Sequence, residues 1–143
     1  MVKLLLATNG VDPDSKDNCG RTPLLRAAAS GHEAVVKLLL ATDGVDLDSK
    51  DNHGLTPLWW AGVSGYKAIV KLLLATDGVD PDSKDSNSRT PLWWAGVSVY
   101  EAVVKPLLAT DGVDLDSKDN HGRTPPWRAT ASGHEAVVKL LQS

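Results

Sequence analysis

The sequence predicts an all-α solenoid, a row of short helix pairs joined by turn-rich connectors. Two observations carry this prediction. The first is a fixed period. "TPLWWAGVS" stands at residues 56–64 and again, letter for letter, at residues 90–98. The run that opens "VKLLLATNGVD" at Val2 returns in the same frame at Val36, Val70, Val104 and Val138, every step 34 residues. A period of this size marks stacked units, each burying its apolar face against its neighbours rather than in a common centre. The second is the alternation inside each period. Apolar stretches at helical spacing give way to Asp, Gly, Pro, Ser and Asn, residues that favour turns and compete with helix.

Local chemistry justifies each element in turn. In "RTPLLRAAAS" the hydroxyl of Thr22 is placed to accept from orphan N–H groups one turn on, capping a helix. Pro23 fits the first helical position, where no N–H is needed. Gly31 is placed for the left-handed turn that ends the helix. The next stretch, "HEAVVKLLLAT", sets Val35, Leu38, Leu39 and Thr42 at helical spacing with Lys37 opposite. Helices of about nine residues are marginal alone, so stacking must stabilise them. All fifteen aspartates fall in the connectors, giving an acidic edge relieved by Lys16, Lys50, Lys84 and Lys118. The units divide as a partial repeat at 1–16, full repeats at 17–50, 51–84 and 85–118, and a final repeat at 119–143 that lacks its last connector.

Composition and spacing exclude several functions. A net charge of −3 argues against a general nucleic-acid binder, which needs a basic stripe. The single cysteine, Cys19, permits no internal disulfide and points to a reducing compartment, cytoplasmic or nuclear. No apolar run approaches the roughly 20 residues of a membrane span, and "MVKLLLATNG" lacks a signal-peptide layout. Cys19, His53 and His121 occupy equivalent places, but units advance by about 8–10 Å, too far for shared zinc ligands. "HEAVV" at His32 and His134 has valine where a second ligand belongs, and "DPDSKD" at Asp80 places Lys84 where a calcium loop needs an oxygen. No phosphate loop and no nucleophile–base pair is present. The reading is a non-enzyme with no metal, no cofactor and no small-molecule substrate.

Asp51, Gly54, Thr56, Pro57, Leu58 and Ala61, then Gly65, Val70, Leu72, Leu73 and Gly78, resemble the ankyrin repeat, whose mark is T-P-L-H-x-A followed by a second helix. The resemblance spans essentially the whole chain. It implies L-shaped units with the connectors projecting as short β-hairpin or turn fingers, and a helix from a preceding unit at residues 2–8. The near-identity of the units also resembles the ankyrin arrays of fungal multidomain proteins, including NOD-like receptors.

The tryptophans depart from the family pattern. Trp59, Trp93 and Trp127, with Leu25 in the first unit, hold the slot where the family carries His. Adjacent helical residues point about 100° apart, so this column and its neighbour are expected on different faces. Gly62 and Gly96, three residues on, would leave room for an indole. The neighbouring column reads Arg26, Trp60, Trp94, Arg128, a pattern suited to cation–π contacts and to binding hot spots.

The resemblance implies a protein-binding scaffold that uses its fingers and the exposed side of its first helices. The corresponding residues are Lys50, Asn52, His53, Leu55, Lys84, Ser86, Asn87, Arg89, Asn120, His121 and Arg123, joined by the Arg26–Trp60–Trp94–Arg128 column. The partner is a protein, with no nucleic acid and no membrane. The near-identical units favour a second reading, a spacer segment of a larger sensor with no partner of its own. The unit at 85–118 is expected to be the weak joint. Ser88 and Val99 replace turn glycines, and Pro106, inside the second helix, should kink or shorten it.

Overall fold

The computed structural model describes residues 15–42, 44–95, 101–110, 113–114, 116–131, 133 and 135–142. Among them are eight helices and no strand: α1 Pro23–Ser30, α2 Glu33–Leu40, α3 Pro57–Val63, α4 Lys67–Leu74, α5 Pro91–Ala95, α6 Glu101–Leu108, α7 Pro125–Ala131 and α8 Glu135–Gln142. The odd-numbered helices stack on one another in sequence, and so do the even-numbered ones. The result is two parallel layers in one solenoid. The helix expected at 2–8, the turn at Val99 and the room expected at Gly96 lie outside the described residues.

Helix starts follow the cap chemistry. The Thr22 hydroxyl accepts the Leu25 N–H, and Thr56 and Thr90 do the same for Trp59 and Trp93. Gly31 and Gly65 take the left-handed turn, with φ of 79° and 80°. Between the layers lies a continuous apolar core. Leu24, Ala28, Leu58, Leu92 and Ala129 from the first helices meet Val36, Leu39, Val70, Leu73, Val104 and Leu107 from the second. The stripe on α2 differs from the expected one. Val36 and Leu39 are fully buried, whereas Val35 and Leu38 are half-buried, and the Thr42 hydroxyl turns back to the Leu38 carbonyl. The helix is packed on its inner side by α1 and laterally by α4, which shifts the buried stripe by one residue.

The connectors take the turn form of the expected fingers, with no strand among the described residues. Gly20, Gly54, Ser88 and Gly122 each donate an N–H to the carbonyl of the aspartate three residues earlier, all at 3.0 Å. One expectation about the third unit is corrected: Pro106 does not shorten its helix. α6 has eight residues, like α4, and Val104 and Leu107 are as buried as Val70 and Leu73. Packing on both sides holds the helix through the missing hydrogen bond.

Candidate protein-binding surface

Each finger is built around one carboxylate. Oδ1 of Asp51 accepts the N–H groups of His53 (2.9 Å) and Leu55 (3.0 Å). Asp17, Asp85 and Asp119 repeat this arrangement in their own units. The second oxygen is taken by the helix that follows. Trp60 Nε1–H donates to Asp51 Oδ2 at 3.1 Å, and Trp94 Nε1–H to Asp85 Oδ2 at 2.9 Å. In the first unit Arg26, in the same column, lies 3.6 Å from Asp17 Oδ2. Arg26, Trp60 and Trp94 therefore tie their fingers to their helices, a role the sequence reading missed. In the last unit Asp119 Oδ2 faces Arg89 of the preceding one rather than Arg128. The signal of that role was the aspartate that stands nine residues before each Trp60-type position.

These bonds tune the carboxylates. The Arg21 N–H, against the effect of burial and helped by the Cys19 N–H and the Arg26 and Arg21 charges, holds Asp17 below the ordinary carboxylate range. At Asp119 burial pushes upward. The N–H groups of Arg123 and His121, with the Arg89 charge, outweigh it and bring the group below its usual value. On the connector side the balance reverses. Burial raises Asp48 and Asp82, with the Asp80 charge adding to both, although each accepts a backbone N–H from the next unit.

The tryptophans do not form separate columns. Trp60 meets Trp59 edge-to-face at 4.9 Å, Trp59 meets Trp94 at 5.2 Å, and Trp94 meets Trp93 at 5.1 Å. One run of four indoles thus bridges α3 and α5. The stacking of units brings Trp59 against the next unit's Trp94, which the 100° offset within one helix does not forbid. Such pairs add about 0.5–1.5 kcal/mol each beyond burial. Gly62 is buried.

Arginines lie along this run, but mostly not the expected ones. Arg21 sits over Trp60 at 5.1 Å, and Arg89 over Trp93 at 4.2 Å and Trp94 at 5.5 Å. Arg123 covers Trp127 at 4.6 Å, and Arg128 reaches Trp93 at 5.4 Å rather than Trp94. Arg26 is paired with Asp17 instead of lying over an indole. Arg21 was absent from the expected set. The "RTP" register it shares with Arg89 and Arg123 would have revealed it.

The remaining candidates separate by exposure. Lys50, Asn52, His53, Lys84, Ser86, Asn87, Asn120, His121 and Arg123 are exposed, whereas Leu55 is buried beneath the finger and offers a partner little surface. Neighbouring fingers are joined through their backbones. Asn52 N–H donates to the Cys19 carbonyl and Asn120 N–H to the Asn87 carbonyl, both at 3.0 Å. Lys50 Nζ reaches the Lys84 carbonyl at 3.0 Å, and the Ser86 hydroxyl the His53 carbonyl at 2.7 Å. The fingers form one braced row. Among the described residues no group of His, Cys, Asp and Glu is arranged to hold a metal ion.

The family model described as ankyrin repeats (three copies) matches residues 1–85 and 77–143, and so covers the chain from end to end. The chain belongs to the ankyrin-repeat family. No curated protein matches it. Ankyrin repeats mediate protein–protein contacts and are not a catalytic module. No described helix of this ankyrin array is long and apolar enough to cross a membrane.

Proposed function

We propose that this ankyrin array is a protein-binding scaffold whose contact surface is the row of finger tips and the adjoining first-helix face. The observation that carries this reading is the bracing of the fingers. Asn52, His53, Asn87 and Asn120 are exposed while their backbones are tied to the neighbouring finger, and His121 is exposed with its N–H held by Asp119 of its own finger. Rigid presentation limits the entropy lost on binding, and loops on a fixed frame commonly carry recognition. Trp60 and Trp94 are half-buried and hydrogen-bonded to the finger aspartates, so they shape the surface as well as bordering it.

A test begins with peptides selected from a random display library against the whole chain. Amide-exchange footprints of the selected peptides should fall on the fingers. His53→Ala and His121→Ala should weaken them, and Lys71→Ala and Lys139→Ala, on second helices, should not. Footprints confined to the second helices would refute the proposal. Failure to select any binder would favour the spacer reading, which the near-identity of the units supports.

A further inference from the structure

The first-helix face has more donors than acceptors. Arg21 Nε, Arg89 Nε, Arg128 Nε, Trp59 Nε1 and Trp93 Nε1 are all shielded from solvent, and none has a hydrogen-bond acceptor among the described residues. The imbalance is sharpest at Trp93, which is 3% exposed. Two guanidiniums, those of Arg89 and Arg128, lie over its ring at 4.2 and 5.4 Å. Asp119 stands 3.6 Å from Arg89, an ion-pair separation rather than a hydrogen bond, and its other oxygen is occupied by the His121 and Arg123 N–H groups. Among the described residues Arg128 has no ion pair. Only Arg89 has a carboxylate at ion-pair distance, and the oxygens of nearby Asp85 are taken by the Asn87 and Arg89 N–H groups and the Trp94 indole, so Arg128 keeps an unmatched charge in a partly desolvated place. Arginine's planar fork fits a carboxylate there better than any other side-chain acceptor.

We propose that this face binds an extended acidic peptide, and that the Arg89–Trp93–Arg128 site receives one of its side-chain carboxylates. The proposal rests on the scaffold reading and specifies its partner. Spacing sets the register. Stacked helices advance by about 8–10 Å per unit, and an extended peptide by about 3.3 Å per residue. Three peptide residues therefore span one unit. Arginine ends the finger at Arg21, Arg89 and Arg123, while buried Leu55 interrupts the row. The matching peptide carries carboxylates at multiples of three residues.

The probe is a peptide of about twelve residues with Glu at every third position and Ser between, long enough to span the units at that rise. Its companions hold the same residues with the Glu in one block, or Gln for every Glu. The spaced acidic peptide should bind, should change the tryptophan fluorescence, and should weaken as salt rises. The block peptide should bind more weakly and the Gln peptide not measurably. Arg128→Gln and Arg123→Gln should each reduce affinity about tenfold, as expected for loss of a charge-assisted hydrogen bond. Arg128→Lys should recover only part, and Lys139→Gln should change nothing. Circular dichroism checks that each variant folds.

Equal binding of the Glu and Gln peptides would overturn the proposal, as would indifference to Arg128→Gln and Arg123→Gln. Equal binding of spaced and block peptides, with inorganic polyphosphate competing as well, would mean plain charge attraction and also overturn it. Display-selected peptides that are neutral or basic yet protect the fingers would refute the acidic preference and leave the scaffold reading intact. An acidic peptide that lost affinity only with second-helix substitutions would sink both.

Discussion

The second and third units, residues 51–84 and 85–118, share a capped first helix, a tryptophan pair and a finger aspartate, yet carry different backbone chemistry at two described points. At the finger tip Gly54 has φ 78°, and its counterpart Ser88 has φ 62°, the only non-glycine at positive φ among the described residues. In the second helix Leu72 is matched by Pro106, and both helices have eight residues. The comparison teaches that shape here is imposed by neighbours. The Ser88 N–H donates to the Asp85 carbonyl as Gly54 does to Asp51, so the turn forces serine into a conformation that suits glycine. At these two described points the turn and the helix length are kept, and the cost of each departure is expected as strain and lost stability.

The largest effect is expected at the proline. Pro106→Leu should raise unfolding stability by about 3 kcal/mol, restoring a hydrogen bond and removing a clash. Leu72→Pro should lower it by a similar amount, both read from urea midpoints. Next come the finger carboxylates. Asp85→Ala and Asp51→Ala each strand two backbone N–H groups and an indole N–H. A loss of about 2–3 kcal/mol is expected in either unit, with the indole fluorescence of the affected unit shifting at the same time. Equal losses would show that the clamp is independent of the tip residue.

The tip itself ranks third. Ser88→Gly should gain about 1 kcal/mol by relieving the left-handed backbone. Gly54→Ser should lose more than that gain, because its Cβ would meet the Ser86 nitrogen at 3.0 Å. Gly122→Ser, with nothing within 4 Å, would bear the backbone strain alone and separates the two contributions.

The smallest effect concerns pH. Asp48 and Asp82 have raised folded-state values, chiefly from burial. Their stabilising contribution is full below the ordinary carboxylate value and is lost as pH rises through the raised one. At neutral pH the ionised groups therefore weaken the array. Asp48→Asn and Asp82→Asn should raise the midpoint at neutral pH, and the gain should fade near about pH 4, where carboxylates protonate. A gain that persists unchanged at acid pH would show that charge is not the cause.

Most of the fold was legible because the repeat states each local signal several times. Thr22, Pro23 and Gly31 announce their helix, and the caps formed as their chemistry requires. The candidate surface was less legible, because its key contacts cross unit boundaries. The edge-to-face meeting of Trp59 with Trp94 depends on how one unit sits on the next, which no single-unit pattern states. The same holds for the Arg21–Trp60 contact and for the pairing of Arg89 with Asp119. The burial of Leu55 was not legible for a simpler reason. Leu55 occupies the arginine register, and only the packed finger reveals that an apolar side chain there turns inward. The full length of the proline-bearing helix was not legible because propensity arguments ignore the burial of Val104 and Leu107 on either side of it.

The central claim is that neighbours hold the third unit in the shape of the second at a cost in local stability. Native-state amide exchange compares the two directly, helix Lys67–Leu74 against helix Glu101–Leu108. The account predicts faster exchange in Glu101–Leu108 than in Lys67–Leu74, with Pro106→Leu bringing the two together. Equal protection of the two helices in the unaltered chain would contradict it.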